Sequence, residues 1–196
     1  VVGKKVPSEK LIDCFRLPAT LCKLYRSSII KENNIEFPPG KVGEDLIFAS
    51  KFYSKANKMT SINYIGYNYL VNTSSITQNI DDSLTNKLFR VVKEIDECYN
   101  LDKYGDLSLY FYLKTLIINL LIYPKHRTFD DYYQTYQESF KWLENKYKKL
   151  DKKIKLKWYQ GEEFKINIFI NVFVLCRKLH IIKPFLKFLR KLNYSL

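Results

Sequence analysis

The sequence predicts an α+β fold that is predominantly helical, and three observations support this class. Apolar residues make up 46% of the 196 positions and aromatic residues 16%, so the chain can bury a core. The six glycines and six prolines are too few for the many turns of an all-β sandwich. Apolar residues recur at helical spacing along most of the chain, and β-rich segments occur only within residues 59–72.

The first 80 residues are predicted to combine two helices with two short strands. After a lead-in without a clear period, apolar spacing predicts a helix over residues 21–33. A Pro-Pro-Gly tripeptide at 38–40 predicts a loop, because it can continue neither a helix nor a central strand. A second helix is predicted from Glu44 to about residue 57, followed by strands over 59–65 and 66–72.

From residue 80 onward the chain is predicted to be helical throughout. The apolar spacing predicts helices at about residues 81–100, 107–123, 130–149, 162–180 and 184–192. The second of these contains Lys114 and is expected to be a buried helix. Pro184 suits the first turn of the last helix. These patterns divide the chain into residues 1–79 and a helical region, residues 80–196.

Positive charge is concentrated at the carboxy-terminal end. The net charge is +13, and residues 141–196 hold 15 Lys and Arg against four acids, whereas residues 1–140 hold 18 against 16. The last predicted helix alternates basic with apolar residues, namely Lys183, Lys187, Arg190 and Lys191 with Phe185, Leu186, Phe188, Leu189 and Leu192. This pattern is typical of a helix lying in a membrane interface, and equally of a packed helix whose charges are solvated.

Other composition features limit the partners of the chain. The apolar segment 166–176 is too short to cross a bilayer, which takes about 20 residues. No recognised nucleic-acid-binding module accompanies the basic charge, so nucleic acid is not an expected partner. The four cysteines form no C-x-x-C pair and only two histidines occur, so no metal site is expected and the cysteines are interpreted as free thiols in a reducing compartment.

The pair Glu44-Asp45 is the main candidate for chemistry. Acids at a helix start often only compensate the free amides and the dipole of that helix, and this structural role stays open. However, Asp45 leads an apolar stripe at helical spacing that continues through Phe48, Ala49, Phe52 and Ala56. A carboxylate at the head of a buried stripe, just after a Pro-Gly loop, fits the floor of a cleft.

Residues 22–77 resemble family 2 glycosyltransferases of the GT-A fold, the kind that build capsules, surface polysaccharides and teichoic-acid decorations. The resemblance rests on an ordered set of short motifs. The chain contains Lys23-Leu24-Tyr25-Arg26, Asn33-Asn34-Ile35, Phe37-Pro38, Gly40, Glu44-Asp45, Phe48, Tyr67, Tyr69 and Ser75-Ile76-Thr77. No single motif is specific, but their order and spacing are. The resemblance implies that residues 1–79 are the acceptor-side, catalytic-base part of a GT-A domain.

The resemblance also implies roles for individual residues. Asp45 would be the general base of an inverting transfer from a nucleotide-sugar, and Glu44 a positioning residue. Lys23 and Arg26 would shape the acceptor side, or only cover the helix with their aliphatic stems. Ser75 and Thr77 would contact the departing diphosphate, or would only stabilise a turn.

Two departures from the family pattern qualify the resemblance. Leu21 and Cys22 stand where the family often has Trp and Asn, so an aromatic platform for the acceptor sugar is in doubt. Nothing matches the family's amino-terminal half, which supplies the nucleotide site and the D-x-D motif for a divalent metal, Mg or Mn. The chain starts at Val1 without a leader, and we interpret it as an excerpt that binds no cofactor and is inactive alone.

For the full-length enzyme, the resemblance implies a nucleotide-sugar donor and a glycan or lipid-linked acceptor. It also favours a cytoplasmic location, peripheral at the inner face of the plasma membrane. The alternative is a non-enzymatic, basic helical module that docks on an anionic membrane surface or an acidic partner.

Overall fold

A computed structural model describes residues 4–7, 20, 22–39, 43–61, 66–68, 84–98, 105–124, 126–159 and 162–192. Within these residues the protein is predominantly helical, as predicted. The helices are α1 Ser27–Glu32, α2 Glu44–Lys55, α3 Leu84–Cys98, α4 Asp106–Leu121, α5 Phe129–Lys146, α6 Leu150–Lys153, α7 Phe164–Lys178 and α8 Ile182–Lys191. Two short strands, β1 Lys4–Pro7 and β2 Lys58–Ser61, pair antiparallel with Lys4 opposite Ser61.

Most predicted helices are present with shorter ends. Helix α5 begins one residue before the predicted start because Thr128 and Asp131 form a capping box there. It ends three residues early, where Lys149 adopts a left-handed conformation and the short helix α6 follows. Pro184 lies in the first turn of α8, as predicted. The predicted strand 59–65 overlaps β2, whereas residues 66–68 are irregular and the rest of the second predicted strand lies outside the described residues.

The helix predicted over residues 21–33 is the main local error. Cys22 has a φ of 59° and Arg26 is extended, so the helix begins only at Ser27. Neighbouring side chains alternate sides in extended chain. Leu24 is therefore fully exposed while Tyr25 packs against α2, although both had been assigned to one apolar helical face.

The chain forms two compact units. The first contains Val1–Asn79 with Asn86–Phe111, and the second contains Ile80–Thr85 with Tyr112–Leu196. The core of the first unit lies along α2, where Phe48, Ala49 and Phe52 are buried beside Ile35. Gly43 precedes α2 with a φ of 82°, a left-handed conformation that glycine adopts without strain.

The second unit packs an aromatic core between its helices. Tyr136 and Phe140 of α5 contact Phe173 of α7, with ring centroids 6.1 and 5.4 Å apart. Helix α8 contributes Leu186 and Leu189, both buried. The predicted burial of α4 is confirmed at Lys114, which is 8% exposed. Its Nζ lies 2.5 Å from the Glu162 carboxylate.

Two arginines of the second unit are engaged in packing. Arg177 is 8% exposed. It donates hydrogen bonds to Asp151 Oδ1 at 2.6 Å, to Tyr136 Oη at 2.7 Å and to the Glu144 carboxylate. Arg190 donates to the carbonyl oxygens of Pro124 and Arg127, at 3.2 and 2.7 Å. These carbonyls follow the end of α4, so Arg190 ties α8 to the connection before α5.

Two asparagines of α7 pair with the extended chain that precedes it. The side-chain amide of Asn167 accepts from Tyr159 N and donates to Tyr159 O, at 2.9 and 3.0 Å. Asn171 does the same with Lys157, at 2.9 and 3.1 Å. The pairing satisfies backbone groups of a segment without regular secondary structure and fixes it on the surface of α7.

Candidate functional site

Asp45 lies in the first turn of α2 and is partly buried. The stripe that it leads is buried as predicted, with Phe48, Ala49, Phe52 and Ala56 all at most 8% exposed. Its Oδ1 accepts a hydrogen bond from Thr20 Oγ1 at 2.5 Å. A carboxylate has about four acceptor sites, so this bond fixes the side chain and leaves it able to accept another proton donor.

Two of the other motif segments pack on the same helix. Tyr25, from the K-L-Y-R segment, packs edge-on against Phe48 and Phe52 with centroids 5.3 and 4.8 Å apart. Phe37, from the segment before the Pro-Pro-Gly loop, stacks on Phe48 at 4.1 Å with an interplanar angle of 7°. Two segments that are separate in sequence therefore converge on Phe48, one turn after Asp45.

The basic and acidic neighbours differ in their placement. Glu44 is exposed at the first position of α2, next to the dipole end that favours an acid there. Arg26 is exposed and is the N-cap residue of α1, whereas Lys23 is partly buried in the chain that leads into that helix. Ser75 and Thr77 lie outside the described residues, and their predicted contact with a diphosphate stays a prediction.

Thr20 is the site residue that the sequence did not reveal. It precedes Asp45 by 25 positions and lies just before the segment that carries Lys23-Leu24-Tyr25-Arg26, but it belongs to no motif itself. A lone threonine in such a segment has no signal that distinguishes it from a turn residue. Only the fold brings its hydroxyl to the carboxylate.

The second unit contains polar groups with strongly perturbed pKa values, but they serve packing. Burial raises the pKa of Tyr132 to about 12, against the opposing charge of Arg190. Burial also raises the pKa of Tyr136 to about 12, although Arg177 donates to its hydroxyl. Both tyrosines lie in the aromatic core and are at most 5% exposed, so we assign them to stability.

No group of three or more His, Cys, Asp or Glu side chains within the described ranges is arranged to hold a metal ion. The divalent metal implied by the glycosyltransferase resemblance is therefore assigned to none of the residues that the structure describes. Among the helices that the structure describes, none combines the length and apolarity that a bilayer crossing requires. In comparisons with known proteins, no family model, no curated protein and no solved structure matches this chain.

Proposed function

We propose that this chain is the acceptor-side portion of an inverting family 2 glycosyltransferase with a GT-A fold, in which Asp45 is the general base. One observation carries the proposal. The Asp45 carboxylate is held by Thr20 at the head of a buried helical stripe, and both flanking motif segments pack on that helix.

The proposed chemistry follows from the weakness of a sugar hydroxyl as a nucleophile. A carboxylate within hydrogen-bond distance takes the hydroxyl proton as the oxygen attacks the anomeric carbon, and the nucleoside diphosphate leaves from the opposite face. Asp45 supplies the carboxylate, and Thr20 orients it by occupying Oδ1. Glu44 is a positioning residue beside it. Lys23 and Arg26 are proposed for the acceptor side, and Ser75 and Thr77 for the diphosphate.

The remaining parts of this proposal concern the full-length protein. The nucleotide site and a D-x-D motif that binds Mg or Mn would belong to a segment outside residues 1–196. The acceptor would be a glycan or lipid-linked saccharide at the cytoplasmic face of the plasma membrane. On its own the chain is expected to turn over no donor.

The test is to replace Asp45 with Asn in the full-length transferase and measure sugar transfer. Loss of general-base catalysis is expected to lower kcat about 10²- to 10⁴-fold, with little change in donor KM. Thr20→Val should lower kcat less, because the carboxylate remains but loses its orienting bond. Glu36→Gln is the matched control, an exposed acid before the loop, and should leave transfer unchanged. Near-normal transfer by the Asp45→Asn enzyme refutes the assignment.

A second candidate function is a non-enzymatic basic module that docks on an anionic membrane surface or an acidic partner. The observation that favours it is the charge of residues 164–196, which hold seven Lys and Arg and no acid. It gains over the transferase if Lys187→Gln combined with Lys191→Gln, two exposed positions, abolishes vesicle binding while Asp45→Asn leaves the activity of the parent protein unchanged.

A further inference from the structure

Helix α7 carries apolar side chains on two opposite faces. Its inner face is buried and includes Ile170, Phe173 and Val174. Its outer face carries a second apolar row, which we call the outer stripe. The outer stripe consists of Phe164, Ile168, Val172, Leu175 and Leu179, which are 39–67% exposed. At about 100° per residue these five side chains fall within about 80° of one another, diametrically opposite the buried face.

Trp158 extends the outer stripe at its amino-terminal end. The pairing of Asn167 and Asn171 with the preceding chain fixes the segment that carries Trp158. The indole is 55% exposed, and its ring centroid lies 5.4 Å from that of Phe164. An exposed tryptophan at the end of an apolar row is typical of a membrane–water interface, where the ring is partly buried and its N–H stays near water.

Lysines border the outer stripe on both sides. Lys165 and Lys178 are exposed and lie about 60–80° from the centre of the stripe, one on each side. Arg177 and Arg190 are used in packing, so the charge presented around the stripe comes from the exposed lysines, of which Lys178 also donates to the backbone oxygen of Asp151 at 2.9 Å. Long lysine stems can follow the apolar surface while the ammonium groups reach the headgroups of a bilayer.

Helix α8, whose sequence pattern also fits a membrane interface, is a weaker candidate for such a surface than α7. In α8, Leu186 and Leu189 are buried, and Arg190 donates to backbone carbonyls. The sequence left two interpretations of α8 open, a membrane interface and a packed helix. Packing accounts for much of its apolar face, although Phe188 and Leu192 remain 56% and 53% exposed.

We propose that the outer stripe of α7, with Trp158 and the bordering lysines, docks this protein on an anionic lipid bilayer. A helix with one straight row of apolar side chains between two lysine borders can lie flat in a membrane interface. The hydrocarbon then contacts the outer stripe, and the anionic headgroups contact the ammonium groups. A second copy is disfavoured, since a symmetric contact would gather Lys165 and Lys178 of both copies around one apolar strip without an acidic partner for them on the stripe. This surface goes beyond the proposed transfer reaction and depends on none of its residues.

The first test is sedimentation of the full chain with vesicles at low salt. Binding to phosphatidylcholine vesicles that contain phosphatidylglycerol is expected, with little binding to phosphatidylcholine alone. Ile168→Ser combined with Leu175→Ser should weaken binding about tenfold or more, because two apolar anchors are lost. Lys165→Gln combined with Lys178→Gln should weaken it about tenfold. The matched control is Leu24→Ser, which removes an exposed leucine from the first unit.

The second test measures directly whether the outer stripe enters the bilayer. Trp142→Phe leaves Trp158 as the sole indole, since the chain has two tryptophans. Anionic vesicles should shift its emission to the blue, and lipids brominated on the acyl chain should quench it. This readout needs no stripe substitution and holds even where the serine variants are less stable.

Three outcomes overturn the proposal. The first is an absence of binding to anionic vesicles at low salt. The second is equal binding by the Ile168→Ser/Leu175→Ser variant and the wild type, which would reduce the interaction to diffuse charge. The third is a concentration-dependent dimer that this variant dissociates and that excludes vesicles, which would make the stripe a self-association surface. Asp45→Asn should leave vesicle binding unchanged, so failure of the transferase and failure of this surface are separate results.

Discussion

Replacing Arg177 with Met should lower the free energy of unfolding by about 3 kcal/mol, mainly because one buried hydrogen bond is lost. The guanidinium donates to Tyr136 Oη in the core, and a hydrogen bond to a charged group contributes about 1.5–3 kcal/mol. Its face also lies 5.0 Å from the Phe140 ring, a contact worth about 0.5–2 kcal/mol. Asp151 and Glu144 add less, because their side chains are 49% and 47% exposed and regain water when the arginine is removed.

Methionine fills much of the volume of the arginine side chain, so little of the lost stability comes from a cavity. The decrease in the free energy of unfolding therefore reports mainly on the lost polar contacts. Urea denaturation followed by circular dichroism measures the effect. With a slope of about 2 kcal/mol/M, the midpoint should fall by about 1.5 M. Lys165→Met is the matched control, because it makes the same kind of change on an exposed side chain of the same helix. A midpoint for Arg177→Met within about 0.3 M of the wild type refutes the reasoning.

Two further predictions concern stability. Burial raises the pKa of Tyr132 to about 12, so the unfolded chain releases this proton near pH 10 while the folded chain keeps it. The free energy of unfolding should therefore fall as the pH rises from about 10 to 12, by about 3 kcal/mol for this residue. Urea midpoints between pH 9 and 12 should fall less steeply for Tyr132→Phe, and equal slopes would contradict the assignment. Gly43→Ala should cost about 1–2 kcal/mol, since alanine is strained at a φ of 82° and its Cβ would lie 3.1 Å from Val91 Cγ2. An alanine variant as stable as the wild type by the same urea assay would show that the turn before α2 relaxes freely.

The sequence was most informative where a helix has both a periodic apolar face and a start signal. The start of α2 at Glu44 followed from its two acids and the Pro-Pro-Gly loop, whereas the start of α5 was predicted one residue late because the Thr128 cap was not used. It misled between residues 22 and 26, where apolar residues at helical spacing lie in non-helical chain. A few apolar positions fit both the period of a helix and the period of an extended chain. The contacts of Tyr25 with α2 decide which of the two conformations forms.

Only part of the candidate site could be predicted from the sequence, because a sequence displays local spacing but not long-range contacts. The burial of the stripe behind Asp45 depends on spacing within one helix, which a sequence displays directly. The bond from Thr20 depends on how distant segments fold together, and nothing in the local pattern specifies it. The same holds for Arg177, whose partners lie 26 to 41 positions away and whose placement in a basic tail predicted solvation.

The asparagine pair of α7 makes the spacing between its two partner residues more critical than the composition of their segment. Four residues of helix advance about 6 Å and two residues of extended chain about 6.6 Å, so Asn167 and Asn171 match Tyr159 and Lys157 in only one alignment. Inserting or deleting one residue between Lys157 and Tyr159 would break one of the two amide pairs and turn the indole of Trp158 to the opposite side of its segment. Homologous proteins that use this surface should therefore vary in side chains along the segment while keeping its residue count constant.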